Sequence, residues 1–218
     1  MYYRPKLLDR LERKLGKLAI NNLMPILVGA MAIIFVMDLA VGMKTGESLG
    51  LRLMFDRDAI LAGEVWRVFT FLFLPPDSSL FFIIFALYFY YIIGSVLESE
   101  WGAFGFTVYY LLGAIGAIAS GFIAGYATNY YLNMTLFLAF AILNPNYEVR
   151  IFFLIPIQMK WLALIDGILL SMSFIQSSWG GRLSLIMALL NLLIFFTPLL
   201  IKRIKQAYGK WKWNRKFK

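Results

Sequence analysis

The sequence contains neither histidine nor cysteine. A serine or threonine hydroxyl is a weak nucleophile until a neighbouring base takes its proton, and without imidazole the usual base is absent. Without cysteine the chain can form no disulfide, no thiolate nucleophile and no cysteine ligand for a metal. A zinc site would then need carboxylates alone, which is rare. The sequence therefore predicts no catalytic residues, no metal site and no cofactor.

Charged residues are also scarce. They make up 15% of the 218 residues, whereas a soluble domain has about 25%. Hydrophobic residues make up 61% of the chain, and the mean hydropathy is +0.74. These residues are concentrated in long runs, which are typical of membrane-spanning helices. Length and composition together predict a single all-α integral membrane domain.

Six apolar runs are predicted to span the membrane. The clearest breaks between them are Pro75-Pro76 and Asn144-Pro145-Asn146, because proline removes a backbone hydrogen bond and disfavours the interior of a helix. The long first loop (residues 44–77) and the short segment 149–160 are predicted to lie at the membrane interfaces. The predicted spans are residues 23–43, 79–97, 104–125, 126–143, 161–177 and 183–201.

Lysine and arginine are concentrated at the two ends of the chain, and the net charge is +9. Six of them precede the first span and eight follow the last. With Arg150 and Lys160, sixteen of the 21 basic residues lie on the cytoplasmic side if both ends are cytoplasmic. The positive-inside rule therefore predicts an even number of spans and cytoplasmic termini in the cell membrane. Basic ends can also bind nucleic acid, but no nucleic-acid-binding motif accompanies them.

Residues 5–19 have the pattern of an amphipathic helix. Leucines recur at helical spacing and basic residues occupy the other face. Such a helix is expected to lie on the anionic surface of the cytoplasmic leaflet, so membrane lipids are a predicted partner. The predicted organisation is an interfacial helix (1–20), a membrane domain (21–201) and a basic cytoplasmic tail (202–218). The leucines are Leu7, Leu8, Leu11, Leu15 and Leu18.

Two motifs resemble those of the rhomboid family of membrane proteins. Residues 66–70, Trp-Arg-Val-Phe-Thr, resemble the Trp-Arg motif of the family's first loop and likewise lie between spans 1 and 2. Gly94 and Glu98 match the family's Gly-x-x-x-Glu at the end of span 2, and Gly102 follows at a similar spacing. The resemblance covers about half of the chain and implies a six-helix rhomboid-like bundle.

A second, weaker resemblance is to the Derlin branch of the same superfamily. It is carried by Leu132-Asn133-Met134, by Asn144-Pro145-Asn146 and by Trp161-Leu162. As a family, that branch is catalytically inactive and handles membrane proteins destined for degradation. The resemblance therefore implies that other membrane proteins are the partners of this chain.

The chain departs from the active rhomboids at every catalytic position. It has no Gly-x-Ser-Gly, because Ser120-Gly121 is preceded by Ile118-Ala119 and lies in span 3. By spacing, the base of span 6 falls near Ser184, and the oxyanion donors of span 2 fall near Phe82 and Ala86. Loss of one member of such a set removes most of the rate, so the resemblance implies an inactive member.

Several residues have two interpretations from sequence. Trp66 and Arg67 are either an interfacial anchor or a hook that ties the first loop to the bundle, and Glu98 is either an exposed charge or an acceptor for loop donors. Asp166 is a candidate functional residue because an acid inside a span is costly, but it can also be a structural residue that faces the bundle.

Two further sets of residues are predicted, one for helix packing and one for a polar intramembrane site. Span 3 has small residues four apart, which allow another helix to approach closely. Asparagines within the spans are more often interhelical hydrogen-bonding groups than ligands. The small residues are Gly113, Ala117, Gly121 and Gly125, and the polar intramembrane site comprises Asn133, Asp166 and Asn191.

The sequence thus predicts an all-α, six-transmembrane-helix rhomboid-like bundle with an N-terminal amphipathic helix. The predicted function is that of a pseudoprotease that binds membrane-protein clients without cleaving them. The alternatives are an active intramembrane serine protease, and a small-solute or ion transporter that uses Asp166. A protease requires a nucleophile and a base, and a transporter requires several polar sites along a path.

Overall fold

The computed structural model describes residues 6–76, 79–151 and 155–216. The first five residues of the predicted N-terminal segment and the last two of the predicted tail lie outside the described residues. The helices are α1 (Lys6–Leu15), α2 (Leu23–Thr45), α3 (Gly50–Leu53), α4 (Arg57–Leu61), α5 (Arg67–Thr70), α6 (Leu80–Ala124), α7 (Tyr130–Leu143), α8 (Met159–Gln176) and α9 (Trp179–Lys216). The strands are β1 (Phe55–Asp56), β2 (Tyr126–Ala127), β3 (Glu148–Ile151) and β4 (Ile155–Gln158).

Four of these helices are long and apolar enough to cross a membrane: α2, α6, α8 and residues 179–197 of α9. They expose large apolar side chains, including Ile33 and Val36 on α2 and Ile175 on α8, at 62%, 64% and 72% of their surface. In water so much exposed apolar surface would be unfavourable, whereas lipid accommodates it. The chain is therefore an all-α membrane protein.

Helix α6 changes direction at Gly102, where the backbone leaves the helical region (φ 74°, ψ 160°). We call residues 80–101 the first arm and residues 103–124 the second arm. Along the first arm, later residues contact later residues of α7, so the first arm and α7 are parallel. Along the second arm, later residues contact earlier residues of α7, so the second arm is antiparallel to α7. The two arms are therefore antiparallel to each other. The contacts are Tyr90 with Asn133 and Glu100 with Asn144 on the first arm, and Tyr109 with Thr135 and Gly113 with Leu132 on the second.

One end of the bundle contains the beginning of α2, the bend of α6 and the end of α7. Glu98 accepts a hydrogen bond from the backbone N–H of Asn22 at 2.6 Å, and the backbone N–H of Ile20 donates to the Thr107 hydroxyl at 3.1 Å. The Asn144 amide donates to Glu100 at 2.8 Å, at the same end.

The opposite end contains the first loop, β2 and the turn between α8 and α9. Strands β1 and β2 pair there, with Phe55 opposite Ala127. The hydroxyls of Tyr126 and Ser178 lie 2.9 Å apart. Each end of the bundle thus contains segments that the predicted topology places together on one side of the membrane.

Helix α7 is shorter than the predicted span 126–143. Tyr126 and Ala127 form β2 instead, because they pair with β1, and the helix begins at Tyr130. Its 14 residues rise about 21 Å, against about 30 Å for the hydrocarbon core of a bilayer. Half of the helix is buried among its neighbours, and it is not one of the four long helices.

The segment 149–160 is predicted to be interfacial, and its described residues form the antiparallel pair β3–β4 and then the first turn of α8. Residues 152–154 of this segment lie outside the described residues. Glu148 is opposite Gln158, and Arg150 is opposite Pro156. Its β-branched residues favour extended backbone, and Pro156 disfavours a helix. The membrane domain is thus not helical throughout.

Both predicted terminal segments contain helix. Helix α1 occupies most of the predicted amphipathic segment, with Leu11 against the core and Leu15 exposed at 46%; Leu18, beyond the end of α1, is 64% exposed. Helix α9 begins four residues before the predicted span 183–201 and continues to Lys216. The predicted tail 202–218 is therefore an extension of the last helix.

Candidate binding groove

The first loop is held together by Arg67, a buried residue of α5. Its guanidinium donates hydrogen bonds to the Leu51 carbonyl at 2.8 Å and the Met54 carbonyl at 3.1 Å, and it pairs with Glu64 at 2.5 Å. A buried guanidinium must have its donors satisfied, and two of these partners are backbone atoms of the preceding turn. The Arg67 side chain thus closes the loop on itself, and it does not extend toward solvent.

Trp66, the preceding residue, lies differently. Half of its surface is exposed, and its indole N–H donates to the Arg52 carbonyl at 3.3 Å. Its ring faces the surroundings, as expected of an interfacial anchor, whereas its nitrogen bonds within the first loop and does not tie that loop to the bundle.

Gly94 and Glu98 lie where α6 meets the beginning of α2. A Cβ on Gly94 would be 2.0 Å from Cγ of Met24, so only glycine permits this approach. One turn later Glu98 accepts from the N–H of Asn22, the residue before α2, at 2.6 Å. A carboxylate at a helix N-terminus is also favoured by the helix dipole. These two residues connect the first arm to α2.

The small residues of the second arm do not form one packing face. Gly113 permits close contact with both α7 and α9, because an added Cβ would be 2.3 Å from Leu132 and 3.1 Å from the Asn191 amide. Gly121 instead lies against the loop residue Phe55, where a Cβ would be 2.8 Å from the ring. The predicted stripe is therefore divided between helices and the first loop.

The prediction that Gly125 is a packing position is wrong. A Cβ there would meet nothing within 4 Å, and the residue has a φ of 93° and ends α6. Ala117 is partly buried against the core. The residue that brings the second arm close to α9 is Gly116, whose Cβ would be 3.3 Å from that of Met187. The spacing of four missed it because it lies on the neighbouring face.

Two buried serines lie side by side, Ser120 on the second arm and Ser184 on α9. The oxygens of Ser120 and Ser184 lie 3.0 Å apart, and the Ser120 hydroxyl donates to the Ala117 carbonyl at 2.9 Å. Because a hydroxyl has one proton, Ser184 is the donor between them. Thr135, also fully buried, donates to the Leu132 carbonyl at 2.8 Å. None of these hydroxyls has a base as its partner.

A groove separates the first arm of α6 from α8. It consists of two adjoining cavities of about 200 and 280 Å³. Ile165 and Leu169 line the larger cavity and are 54% and 50% exposed, so it opens onto the lipid-facing surface. We call the two cavities the lateral groove. Its common lining residues are Phe85, Phe89, Ile93 and Val149; the smaller cavity adds Tyr88, Ile92, Phe140, Tyr147 and Glu148; the larger adds Tyr90, Asn133, Met134, Phe137, Leu162, Ile165, Asp166 and Leu169.

Two of the three predicted intramembrane polar residues meet in the larger cavity. Asn133 and Asp166 both line it, and they are 4% and 6% exposed. Asn191 lies elsewhere, where its amide donates to the Tyr109 carbonyl at 3.0 Å and joins α9 to the second arm. The predicted polar site is therefore Asn133 with Asp166, and Asn191 is a helix-packing residue.

Sequence reasoning did not locate the contacts of two anchors, since it treats Asn129 only as one of the interhelical hydrogen-bonding asparagines and Glu100 only as part of a turn. Asn129 donates from its amide to the carbonyls of Leu72 and Leu74, at 3.1 and 2.8 Å, and so attaches the end of the first loop to the beginning of α7. Glu100 accepts from Asn144 across the other end of the bundle. From sequence, Asn144 is a helix breaker and part of the second resemblance, and no local pattern connects it to an acid 44 residues earlier.

Asp56 has a local role that its sequence context does indicate. Its carboxylate accepts from the backbone N–H groups of Ala59 and Asp58, at 3.0 and 2.9 Å, and so caps α4. These hydrogen bonds, chiefly that of Ala59, hold the pKa of Asp56 below its usual range. An acid two or three residues before the amides it caps is a typical helix start.

No protein-family model matches this chain, and no curated protein matches it either. The rhomboid resemblance consequently depends on the motifs quoted above and on the geometry around them.

Proposed function

We propose that this chain is a rhomboid-like membrane protein that binds transmembrane helices of other membrane proteins and does not cleave them. The order of the Trp-Arg and Gly-x-x-x-Glu motifs supports the family. The buried Arg67 and the contact of Glu98 with α2 give those motifs structural roles. The observation that carries the function is the lateral groove, an apolar opening between two helices toward lipid.

The proposed topology has six spans: α2, the two arms of α6, α7, α8 and the first part of α9, with both termini in the cytoplasm. Helix α7 is short, but it is surrounded by other helices, so it need not match the full thickness of lipid. A short central helix and interfacial segments beside it would thin the bilayer locally. A client helix would then enter the groove from the side.

Binding at the groove can be tested with a photo-crosslinker at adjacent positions of α8. Leu169 lines the groove and Ile168 does not, yet their exposures are 50% and 53%. We expect a benzophenone residue at position 169 to crosslink a single-span Leu/Ala peptide in vesicles several-fold more than one at 168. Helix association in lipid depends on close packing, which only the groove side offers. Equal yields at the two positions would contradict binding at this groove.

The proposed topology gives a labelling prediction. Because the chain has no native cysteine, Ser48→Cys in the first loop and Ser99→Cys near the bend of α6 are each the only thiol. Both positions are exposed. In intact cells we expect a membrane-impermeant maleimide to label position 48 at once and position 99 only after permeabilisation. The reverse pattern would invert the topology.

The proposal also predicts that the purified protein cleaves no transmembrane substrate. The hydroxyls of Ser120 and Thr135 donate to backbone carbonyls, and Ser184 donates to Ser120. Without a base such a hydroxyl is not a usable nucleophile at neutral pH. We expect no product from a panel of single-span substrates and no labelling by a fluorophosphonate probe that labels an active serine hydrolase in parallel. Cleavage that disappears on mutation of Ser120, Ser184 or Thr135 would show that the protein is a protease.

A further inference from the structure

Two hydrogen-bond acceptors in the larger cavity of the lateral groove have no donor. They are Oδ1 of Asn133 and Oδ2 of Asp166, both buried and both without a partner among the described residues. Tyr90, which lines the same cavity, lies beside the Asn133 side chain. The remaining lining residues are apolar. Ser95, Tyr110 and Asn191 also have a buried oxygen without a partner among the described residues, but only Asn133 and Asp166 line the groove. Buried acceptors are nearly always satisfied, so this pair in an open cavity indicates a missing donor.

Tyr130 and Tyr90 lie near Asp166 and Asn133, but no described residue donates a hydrogen bond to either oxygen, and the basic residues at the ends of α8 are engaged elsewhere. Lys160 is the basic residue of α8, and its ammonium lies 5.7 Å above the ring of its neighbour Trp161. Arg182 donates to the carbonyls of Phe174 and Ile175 at the far end of that helix. Asp166 is the eighth residue of α8, about 10 Å along its axis from the first, and within the membrane such an acid is usually paired.

We propose that the larger cavity takes a lysine or arginine side chain from the transmembrane helix of a client. The ammonium or guanidinium would donate to Oδ2 of Asp166 and Oδ1 of Asn133, and the apolar walls would cover the aliphatic stem. This inference rests on the proposed function, because it assumes that a client helix lies in the lateral groove. It adds a selectivity: clients with a basic residue inside the span are preferred.

Size and charge favour this occupant over lipid. The cavity volume of about 280 Å³ is several times the roughly 30 Å³ that one water molecule occupies in the liquid. A lipid chain could fill that volume, but it has no donor and would leave both acceptors unpaired. A basic side chain fills the volume and pairs both acceptors, and its charge is opposite to that of the carboxylate.

The test uses one host peptide in three versions that differ only in the central residue. A Leu/Ala transmembrane peptide carries lysine, glutamine or leucine at its centre and a fluorescent acceptor at one end. The full chain carries the donor at an introduced Ile175→Cys, in phosphatidylcholine vesicles. We expect the lysine peptide to bind about tenfold more tightly than the leucine peptide, as a strong polar contact in a membrane gives. The Asp166→Asn and Asn133→Leu variants should each bring that ratio close to one. Ser171→Ala, on the exposed side of α8, should leave the ratio unchanged.

The outcomes separate this inference from the proposed function. If the leucine peptide binds and the lysine peptide binds no more tightly, the proposed function stands and the inference is wrong. If no peptide binds, both are wrong. A lysine preference that persists in Asp166→Asn, or a glutamine peptide that binds as tightly as lysine, also overturns the inference. If the Asp166→Asn variant does not fold, the ratio of lysine to leucine peptide binding in the Asn133→Leu variant tests the inference.

Discussion

Substitution of Arg67 by alanine is expected to lower the free energy of unfolding by about 1–3 kcal/mol. The change removes the donors of the Leu51 and Met54 carbonyls and the partner of Glu64. The Arg67 side chain is 10% exposed, so water cannot readily replace these bonds. The measurement is thermal or denaturant unfolding of the purified protein in detergent.

The matched control is Arg52→Ala in the same loop. Arg52 also forms an ion pair, with Glu47 at 3.0 Å, but both side chains are more than 60% exposed. An exposed pair contributes less than about 1 kcal/mol, so this variant should unfold nearly as the parent does. Arg67→Lys should be intermediate, because one ammonium cannot reproduce the planar fork. Equal unfolding curves for the Arg67→Ala and Arg52→Ala variants would mean that the first loop does not depend on its buried guanidinium.

Hydropathy and helix breakers located most of the helices correctly. The first span was predicted to begin at Leu23, where α2 begins, and Gly102 was placed in the turn that separates two spans. These features are local: a long apolar run must form a helix in lipid, and a glycine beside two acids interrupts it. The antiparallel pair β3–β4 was missed because eight residues in two short strands contain no hydrophobic period that distinguishes them from an interfacial helix.

The candidate site was only partly predictable. Asp166 and Asn133 were selected individually, because polar groups inside spans are costly. Their meeting in one cavity depends on how α7 and α8 rotate against each other, and neither helix encodes that locally. Asn191 has the same chemistry but faces the second arm, where it hydrogen-bonds to Tyr109. The sequence-based grouping of Asn191 with Asp166 could therefore be corrected only from the tertiary structure.

The polar contacts also show how the bundle and the groove differ. Arg67, Asn129, Glu98 and Glu100 connect loops or helix ends through satisfied hydrogen bonds. Asp166 instead leaves an oxygen unpaired in the groove. Asn191 also has an unpaired oxygen, but its amide joins α9 to the second arm, whereas Asp166 lines an open cavity where its oxygen is available to a ligand.

Substitution of Gly102 by alanine is the second change with a large expected effect. The bend of α6 requires φ 74° and ψ 160° at this residue, a region that is essentially restricted to glycine and costs other residues about 1–3 kcal/mol. Both arms depend on it, because the bend sets them antiparallel on either side of α7. We expect a lower unfolding midpoint in detergent, of a size similar to that of Arg67→Ala. The matched control is Gly167→Ala in α8, where a Cβ would meet nothing within 4 Å and alanine gains up to about 1 kcal/mol in helix propensity.

Substitution by asparagine distinguishes backbone strain at Gly102 from the general effect of replacing a glycine. Gly125 also has a positive φ, but its φ of 93° and ψ of −21° lie near the left-handed region that asparagine tolerates best among the other residues. At Gly102 the ψ of 160° lies far from that region, so asparagine should be no better there than alanine. Gly125→Asn is therefore expected to lower stability clearly less than Gly102→Asn. Equal losses at both positions would mean that the arms tolerate another geometry at the bend, and that the antiparallel arrangement is held by packing against α7 and α9 rather than by the conformation of Gly102.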